Sequence, residues 1–297
     1  MDFDNYRVFY YVGRYKSATL AAKELFTSQP AVTRTIKKLE SDLGCRLFVR
    51  SKKGMEFTLE GETLFEYVSA SINQLEKGET EVRKNTNESE GRVVIGATVT
   101  ALDEFLFNFL DVFHKEHPNV KFKIYTQSTD STIEKLRSGE IDVALVTSPF
   151  PIFDDVEYIK IKEFVNVLIA GSEYEYLKQE EPISLERLKH LPFVAMSNHT
   201  QLRQYTNSLF QKYNVAINPQ IEVDSADVLI PFVRNGHGLS IVPLSLANRS
   251  IEKGQVITIR TKEQIPLRGV YLVSSKVFPK SGATKLFKKE VSVHKNN

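Results

Sequence analysis

Gln29, Thr33, Arg34 and Lys37 share one face of a short predicted helix, with Pro30 beside them. Their amide, hydroxyl and cationic groups are those that hydrogen-bond base edges and phosphates when a helix lies in a DNA major groove. The other face carries Val32, Ile36 and Leu39 at i, i+4 and i+7, which would seat the helix on a core. Ser28 is a good N-cap, and Pro30 falls in the first turn, where its missing N–H has no intrahelical role. In the preceding helix Leu20, Ala21 and Leu25 recur near helical spacing, and the small pair Ala21-Ala22 lets another helix approach closely. Phe26-Thr27 interrupts the pattern, so the segment reads as two short helices joined by a polar turn. Any surface helix carries polar residues opposite its core, but two further features favour DNA here. Between Ser28 and Lys53 stand Arg34, Lys37, Lys38, Arg46, Arg50, Lys52 and Lys53 against only Glu40 and Asp42, a local cationic excess in a chain of net charge +2. Arg46–Thr58 then reads as a β-hairpin wing whose tip, Ser51-Lys52-Lys53-Gly54, would lie along the DNA backbone or minor groove. The expected DNA contacts are Ser28, Gln29, Pro30, Thr33, Arg34, Lys37, Arg50, Lys52 and Lys53.

These residues carry a family resemblance. The segment resembles the DNA-binding domain of LysR-type transcriptional regulators through Ser17-x-Thr19-x-Ala21-Ala22, Leu25, Ser28-Gln29-Pro30-Ala31-Val32-Thr33, Ile36, Leu39-Glu40-x-x-Leu43-Gly44, Leu47-Phe48-x-Arg50 and Leu59-x-Gly61. More loosely, the likeness runs over nearly all the remaining chain. It implies a winged helix-turn-helix, a long dimerising helix and a two-lobed domain that binds a small effector. It also implies a tetramer built as a dimer of dimers, with the effector altering DNA bending.

Size and composition agree with that division. The 297 residues suit one small and one large bilobed domain, and 41% hydrophobic residues suffice for two cores. No leader sequence opens the chain and no run approaches a membrane span, which predicts a cytoplasmic soluble protein with no membrane partner. The single cysteine, Cys45, excludes an intramolecular disulfide and any multi-cysteine metal site, and reads as a packing residue. A redox-sensing relative would be expected to carry a pair of cysteines in its effector domain.

The expected organisation is a winged helix-turn-helix over residues 1–58, a linker helix and hinge over 59–90, and an α/β effector domain over 91–297. Thr58 should cap a helix reaching about Asn87, in which Gly61, Phe65, Val68, Ile72, Leu75, Glu79 and Val82 alternate steps of four and three, the spacing of a short coiled coil. Phe65, Val68, Ile72, Leu75 and Val82 are the expected dimer seam; the other reading is a helix lying on its own domain. Paired recognition helices predict an interrupted palindrome in double-stranded promoter DNA, with RNA polymerase as a further expected partner. Residues 85–90 read as the hinge.

From Gly91 onward strands and helices alternate, predicting a largely parallel sheet and a periplasmic-binding-protein-like domain. Its first lobe is expected over about 91–163 and 266–297 and its second over about 164–265. Strands are expected at Arg92–Ala97, Val120–Thr126, Ile141–Val146, Phe164–Ala170, Phe193–Met196, Ile221–Val223, Leu239–Val242 and Arg268–Val273. Ligands in such folds sit at strand carboxyl ends and helix N-termini. Those junctions hold Thr98 and Thr100, Gln127 and Ser128, Thr147 and Ser148, Ser197–Thr200 with Asn198, and Asp224-Ser225. The resemblance puts Thr98, Thr100, Ser128, Thr147 and Thr200 where effector contacts occur; Asn198 is added from its junction. All are also ordinary N-cap types, and Asp224 is expected to cap, because a buried carboxylate would oppose an anionic effector. No arginine is expected at a junction, which argues against a multiply charged effector; a small anion or polar metabolite fits better.

Enzymatic signatures are missing: the chain has no G-x-S-x-G elbow, phosphate loop or H-E-x-x-H zinc helix, and Gly236-His237-Gly238 lacks a third glycine. His237 reads as a turn residue and His114 and His117 as surface residues before Pro118. No cofactor or metal is expected. A ligand-binding transport protein is opposed by the N-terminal DNA reader.

Overall fold

The computed structural model describes residues 2–51, 54–83 and 91–294. The chain forms two compact units, one built on residues 1–85 and the other on residues 86–137 and 141–297. The first contains α1 (Phe3–Tyr15), α2 (Ala18–Glu24), α3 (Gln29–Leu43), the hairpin β1 (Phe48–Ser51) and β2 (Gly54–Phe57), and α4 (Leu59–Arg83). Local sequence sets the helix starts. Ser17 Oγ accepts from Leu20 N at 3.3 Å, Ser28 Oγ from Ala31 N at 3.4 Å, and Thr58 Oγ1 from Gly61 N at 3.0 Å. Gly44, at φ 71°, ends α3 in the left-handed conformation. Val32, Ile36 and Leu39 join Phe9, Val12, Ala21 and Leu47 in one core. Leu20 is exposed instead, because α2 turns Ala21 and Ala22 inward. Cys45 packs, half-buried, against this core.

The wing is tied to α3 by a carboxylate: Glu40 Oε1 accepts from Leu47 N at 2.8 Å and Phe48 N at 3.2 Å. Its strands pair antiparallel from Phe48↔Phe57 to Ser51↔Gly54, and the tip residues Lys52 and Lys53 lie outside the described residues.

Helix α4 corrects the expectation of one uninterrupted dimer seam. Val68 and Ile72 are each 6% exposed within the core of their own unit. The Phe65 ring stacks on Tyr10 at 5.9 Å and lies 4.8 Å from the Phe57 ring. Period-3.5 spacing marks an apolar stripe but not what covers it, and here α1 and the wing cover its first half. Leu75 and Val82 remain open, 52% and 86% exposed. The expected extension of the helix to Asn87 and the hinge at 85–90 lie outside the described residues.

The second unit begins with β3 (Gly91–Ala97), α5 (Val99–Ala101), a π-helical turn at Leu102–Leu106, α6 (Phe107–Glu116), β4 (Val120–Thr126), α7 (Thr129–Arg137), β5 (Val143–Thr147) and β6 (Val156–Phe164). There follow β7 (Asn166–Ala170), β8 (Val194–Met196), α8 (Gln201–Lys212), β9 (Ile221–Val223), α9 (Leu229–Arg234), β10 (Ser240–Pro243), α10 (Leu244–Glu252) and β11 (Ile257–Ile259). Then β12 (Arg268–Ser275) and α11 (Gly282–His294) return to the first lobe.

Lobe I is a five-stranded sheet in the order β4-β3-β5-β12-β6. The expected parallel arrangement holds for β3 with β4 and β5, whereas β12 runs antiparallel to both β5 and β6. The reason lies in the crossovers: the chain leaves at Phe164 and re-enters at Arg268, and these two residues face each other in the ladder. Re-entry at the point of exit forces the returning strand to run the other way. Strand β6, not anticipated, is an edge strand whose Glu157, Lys160, Lys162 and Glu163 suit an unpaired edge; Phe164 ends it rather than opening lobe II.

Lobe II departs further from expectation. Its three-stranded sheet, β10-β7-β11, is antiparallel; β8–α8–β9 forms an anticipated parallel unit, and a parallel bridge between Phe193 and Leu239 links it to the start of β10.

Gly61 is needed for packing, since a Cβ there would stand 2.0 Å from the Leu47 carbonyl oxygen, whereas a Cβ on Gly78 in the same helix would meet none of the described residues. Gly61→Ala is expected to destabilise the first unit by about 2 kcal/mol or more, and Gly78→Ala to be neutral or stabilising by up to about 1 kcal/mol. Thermal unfolding of the two variants checks this; equal melting temperatures would refute it.

Candidate functional site

The face of α3 expected to read DNA lies largely open to solvent in the first unit. Ser28, Gln29, Pro30, Arg34 and Lys37 are exposed and Thr33 is half-buried. The Thr33 hydroxyl donates to the Gln29 carbonyl at 3.1 Å and accepts from Gln29 Nε2 at 3.0 Å. That brace holds the Gln29 amide near the start of α3, where an amide could pair with an adenine edge. Arg50 sits on β1 opposite Met55, while its side chain and all of Lys52 and Lys53 lie outside the described residues. Phe26, read from the sequence only as part of the break between the helices, takes a left-handed φ of 52° in the turn before α3 and is exposed.

The second unit contains a cavity of about 230 Å³, smaller than the roughly 300–1,000 Å³ of drug-sized pockets. It lies between strand ends of lobe I and the α8 and β9 region of lobe II. The expected residues Thr98, Thr100, Ser128, Thr147 and Thr200 all line it, as do Gln127, Asp224 and Ser225. Three of these hydroxyls also cap helical turns. Thr98 Oγ1 accepts from Ala101 N at 3.2 Å, Ser128 Oγ from Ser131 N at 3.3 Å, and Thr200 Oγ1 from Arg203 N at 3.2 Å. The cap and lining roles coincide because each helix begins at the cavity wall.

Three expectations change and one lining residue is new. Asn198 is exposed and is not among the lining residues, since the turn into α8 directs Thr200 inward instead. Asp224 is no helix cap: its carboxylate accepts from Ser197 Oγ at 2.5 Å and stands 4.0 Å from His199 Nε2, tying the ends of β8 and β9 together. Gln201 also lines the cavity, and its Nε2 donates at 2.9 Å to Asp130 Oδ1, a bond between the lobes.

The third changed expectation is the largest, because an arginine does reach the junctions. Arg268, at the start of β12, lines the cavity and is only 3% exposed. Its Nε donates to the Ser148 carbonyl at 2.6 Å and its Nη2 to Thr147 Oγ1 at 2.8 Å. The guanidinium carbon stands 5.3 Å from the Phe164 ring centre and 5.1 Å from that of Tyr205. Burial pushes the guanidinium pKa down to about 10, so it stays protonated at neutral pH, and burial pushes the Tyr205 phenol up. Nothing adjacent in sequence pointed to this residue.

Other candidates lie outside the cavity. His237 is an exposed turn residue beside the Phe232 ring, between Gly236 and Gly238, both at positive φ. Among the described residues, Glu116, His117 and Glu290 place ligand atoms within 4.8 Å of one another, one ligand short of a closed tetrahedral set. Among the described residues no helix is long and apolar enough to cross a membrane.

A winged helix-turn-helix unit joined in one chain to a two-lobed α/β unit with a polar cavity defines a ligand-responsive DNA-binding regulator. The family model "Bacterial regulatory helix-turn-helix protein, lysR family" matches residues 3–62, and "LysR substrate binding domain" matches residues 86–292. The chain belongs to the LysR family of DNA-binding transcriptional regulators. It is 28% identical over 287 residues to the RuBisCO operon transcriptional regulator of Allochromatium vinosum, covering 95% of this chain and 93% of that one. To the HTH-type transcriptional regulator YybE of Bacillus subtilis (strain 168) it is 27% identical over 243 residues, 82% of each. In fold it is similar to a full-length OxyR variant from Pseudomonas aeruginosa, with a TM-score of 0.69 at 19% identity over 100% of this chain and 95% of that one.

Thr147→Val keeps the shape of its side chain but removes the acceptor for Arg268 Nη2. The expected loss is about 1–3 kcal/mol of stability, read by urea unfolding. An unchanged midpoint would show that this hydrogen bond contributes little to the fold.

Proposed function

We propose that this regulator reads an interrupted palindrome as a homodimer, assembled further into a tetramer, and that a small anion or polar metabolite bound in the cavity shifts how its DNA-binding pairs engage a promoter. The observation that carries the effector part is the cavity-lining set Thr98, Thr100, Ser128, Thr147 and Thr200, a wall of hydroxyls at strand and helix ends. Gln29, Thr33 and Arg34 read bases, and Lys37, Arg50, Lys52 and Lys53 hold phosphates. Leu75 and Val82, open on α4, are the part of the predicted seam left for a partner. Contact with RNA polymerase at the promoter and a cytoplasmic location complete the reading. Coupling requires the effector to bind one arrangement of the assembly better than another.

Retention of sheared genomic DNA on the purified protein at near-physiological salt, followed by sequencing, tests the DNA reading. Enrichment of a few intergenic sites sharing an interrupted palindrome is expected; uniform, salt-sensitive retention would sink it. On an enriched site, Arg34→Ala is expected to lose roughly tenfold or more of its preference over a scrambled site. Lys37→Ala should weaken both alike and lower the salt slope by about 1. Fluorescence anisotropy separates the two outcomes.

A further inference from the structure

Arg268 brings a positive charge into the cavity that its protein neighbours do not balance. The acceptors of its Nε and Nη2, the Ser148 carbonyl and the Thr147 hydroxyl, are both neutral. Its Nη1 is buried and makes no hydrogen bond among the described residues. Among those residues no aspartate or glutamate acts on the guanidinium; its charged-type neighbour is the Tyr205 phenol, which is neutral at physiological pH. The faces of Phe164 and Tyr205 stabilise a cation without neutralising it. Charged groups this deeply buried are ordinarily paired, and the group lines a cavity open to a small molecule.

We propose that Arg268 is the counter-charge for the effector and that the effector is a small monocarboxylate, its carboxylate beside the guanidinium and Thr147 and its hydroxyl or keto groups on Thr98, Thr100 and Thr200. This rests on the reading of the cavity as the effector site. The charge count sets the class: Arg268 is the one cation among the lining residues, and Asp224 supplies an opposing negative charge, so a dianion would be left partly unpaired. A cavity of about 230 Å³ limits the size. The planar guanidinium suits a carboxylate, and charge-assisted hydrogen bonds of this kind are about twice as strong as neutral ones.

The test uses the full chain, with acetate, lactate and benzoate as probes, each set against its neutral amide, and with sulfate, at constant ionic strength. Calorimetric titration and thermal unfolding give the readouts. At least one carboxylate is expected to bind and to raise the unfolding temperature while its amide does not. Arg268→Gln should bind that carboxylate roughly tenfold or more weakly, and Arg268→Lys should keep the preference for acid over amide. The proposal is overturned if no carboxylate outperforms its amide, if sulfate binds more tightly than every carboxylate, or if Arg268→Gln binds like the parent. The acid-against-amide comparison on the parent protein decides the matter even where Arg268→Gln does not fold. Thr100→Val separates the proposal from the reading beneath it. If Thr100→Val weakens binding while acid and amide bind alike, the cavity stands as the effector site and only the carboxylate class falls. Binding unchanged in both Thr100→Val and Arg268→Gln removes the cavity itself.

Discussion

Burial of the Arg268 guanidinium constrains the whole second unit. A cation taken out of water is tolerated only where its donors find acceptors and its faces find polarisable surface. Those partners come from three parts of the chain: Thr147 and Ser148 at the end of β5, Phe164 at the end of β6, and Tyr205 on α8. Strand ends, both crossovers and a lobe II helix therefore converge on one group. The pairing of Arg268 with Phe164 in the ladder brings the exit and return of the chain together, and the antiparallel course of β12 follows from that. The cavity is bounded at the same place because the strands end there.

In the first unit the comparable constraint is the fixed distance between α3 and the wing. The Glu40 carboxylate takes the backbone N–H groups of Leu47 and Phe48, Thr58 Oγ1 donates to the Arg46 carbonyl at 2.7 Å, and Gly61 allows α4 to approach the Leu47 carbonyl. Glu40, Leu47, Phe48 and Gly61 belong to the sequence pattern by which the family was recognised, yet none is on the reading face. Those four residues hold α3, the wing and α4 against one another.

What could be read from the sequence divides along the same line. The helix-turn-helix was legible because its caps, small-residue contact and apolar stripe all lie within about one helix of each other, where local rules apply. The cavity threonines were legible because a strand end followed by a helix start is itself a local signal. Arg268 was not, since its partners Thr147 and Ser148 lie 121 and 120 residues away and only the antiparallel return of β12 brings them together. Phe65, Val68 and Ile72 have the spacing of a dimer seam, and the same spacing serves a helix packed on its own domain; which surface covers them is a tertiary fact. Asp224 looked like a cap by type, but the nearer partner was Ser197, just past a strand that pairs beside its own.

Two polar bonds between the lobes bear on how a ligand could act. Gln201 reaches Asp130 at the cavity wall, and the Tyr205 hydroxyl donates to the Pro266 carbonyl at 2.8 Å beside the returning crossover. The second bond lies at the crossovers, where a change in lobe angle moves atoms least; the first lies away from them, where the same change moves atoms more. A ligand that touches Thr98 or Thr147 on one side and Thr200 on the other spans the lobes as the Gln201–Asp130 bond does, so its binding energy depends on their separation. That dependence is the differential affinity that any conformational response requires. Contacts confined to one lobe, however tight, would leave the lobe angle unbiased.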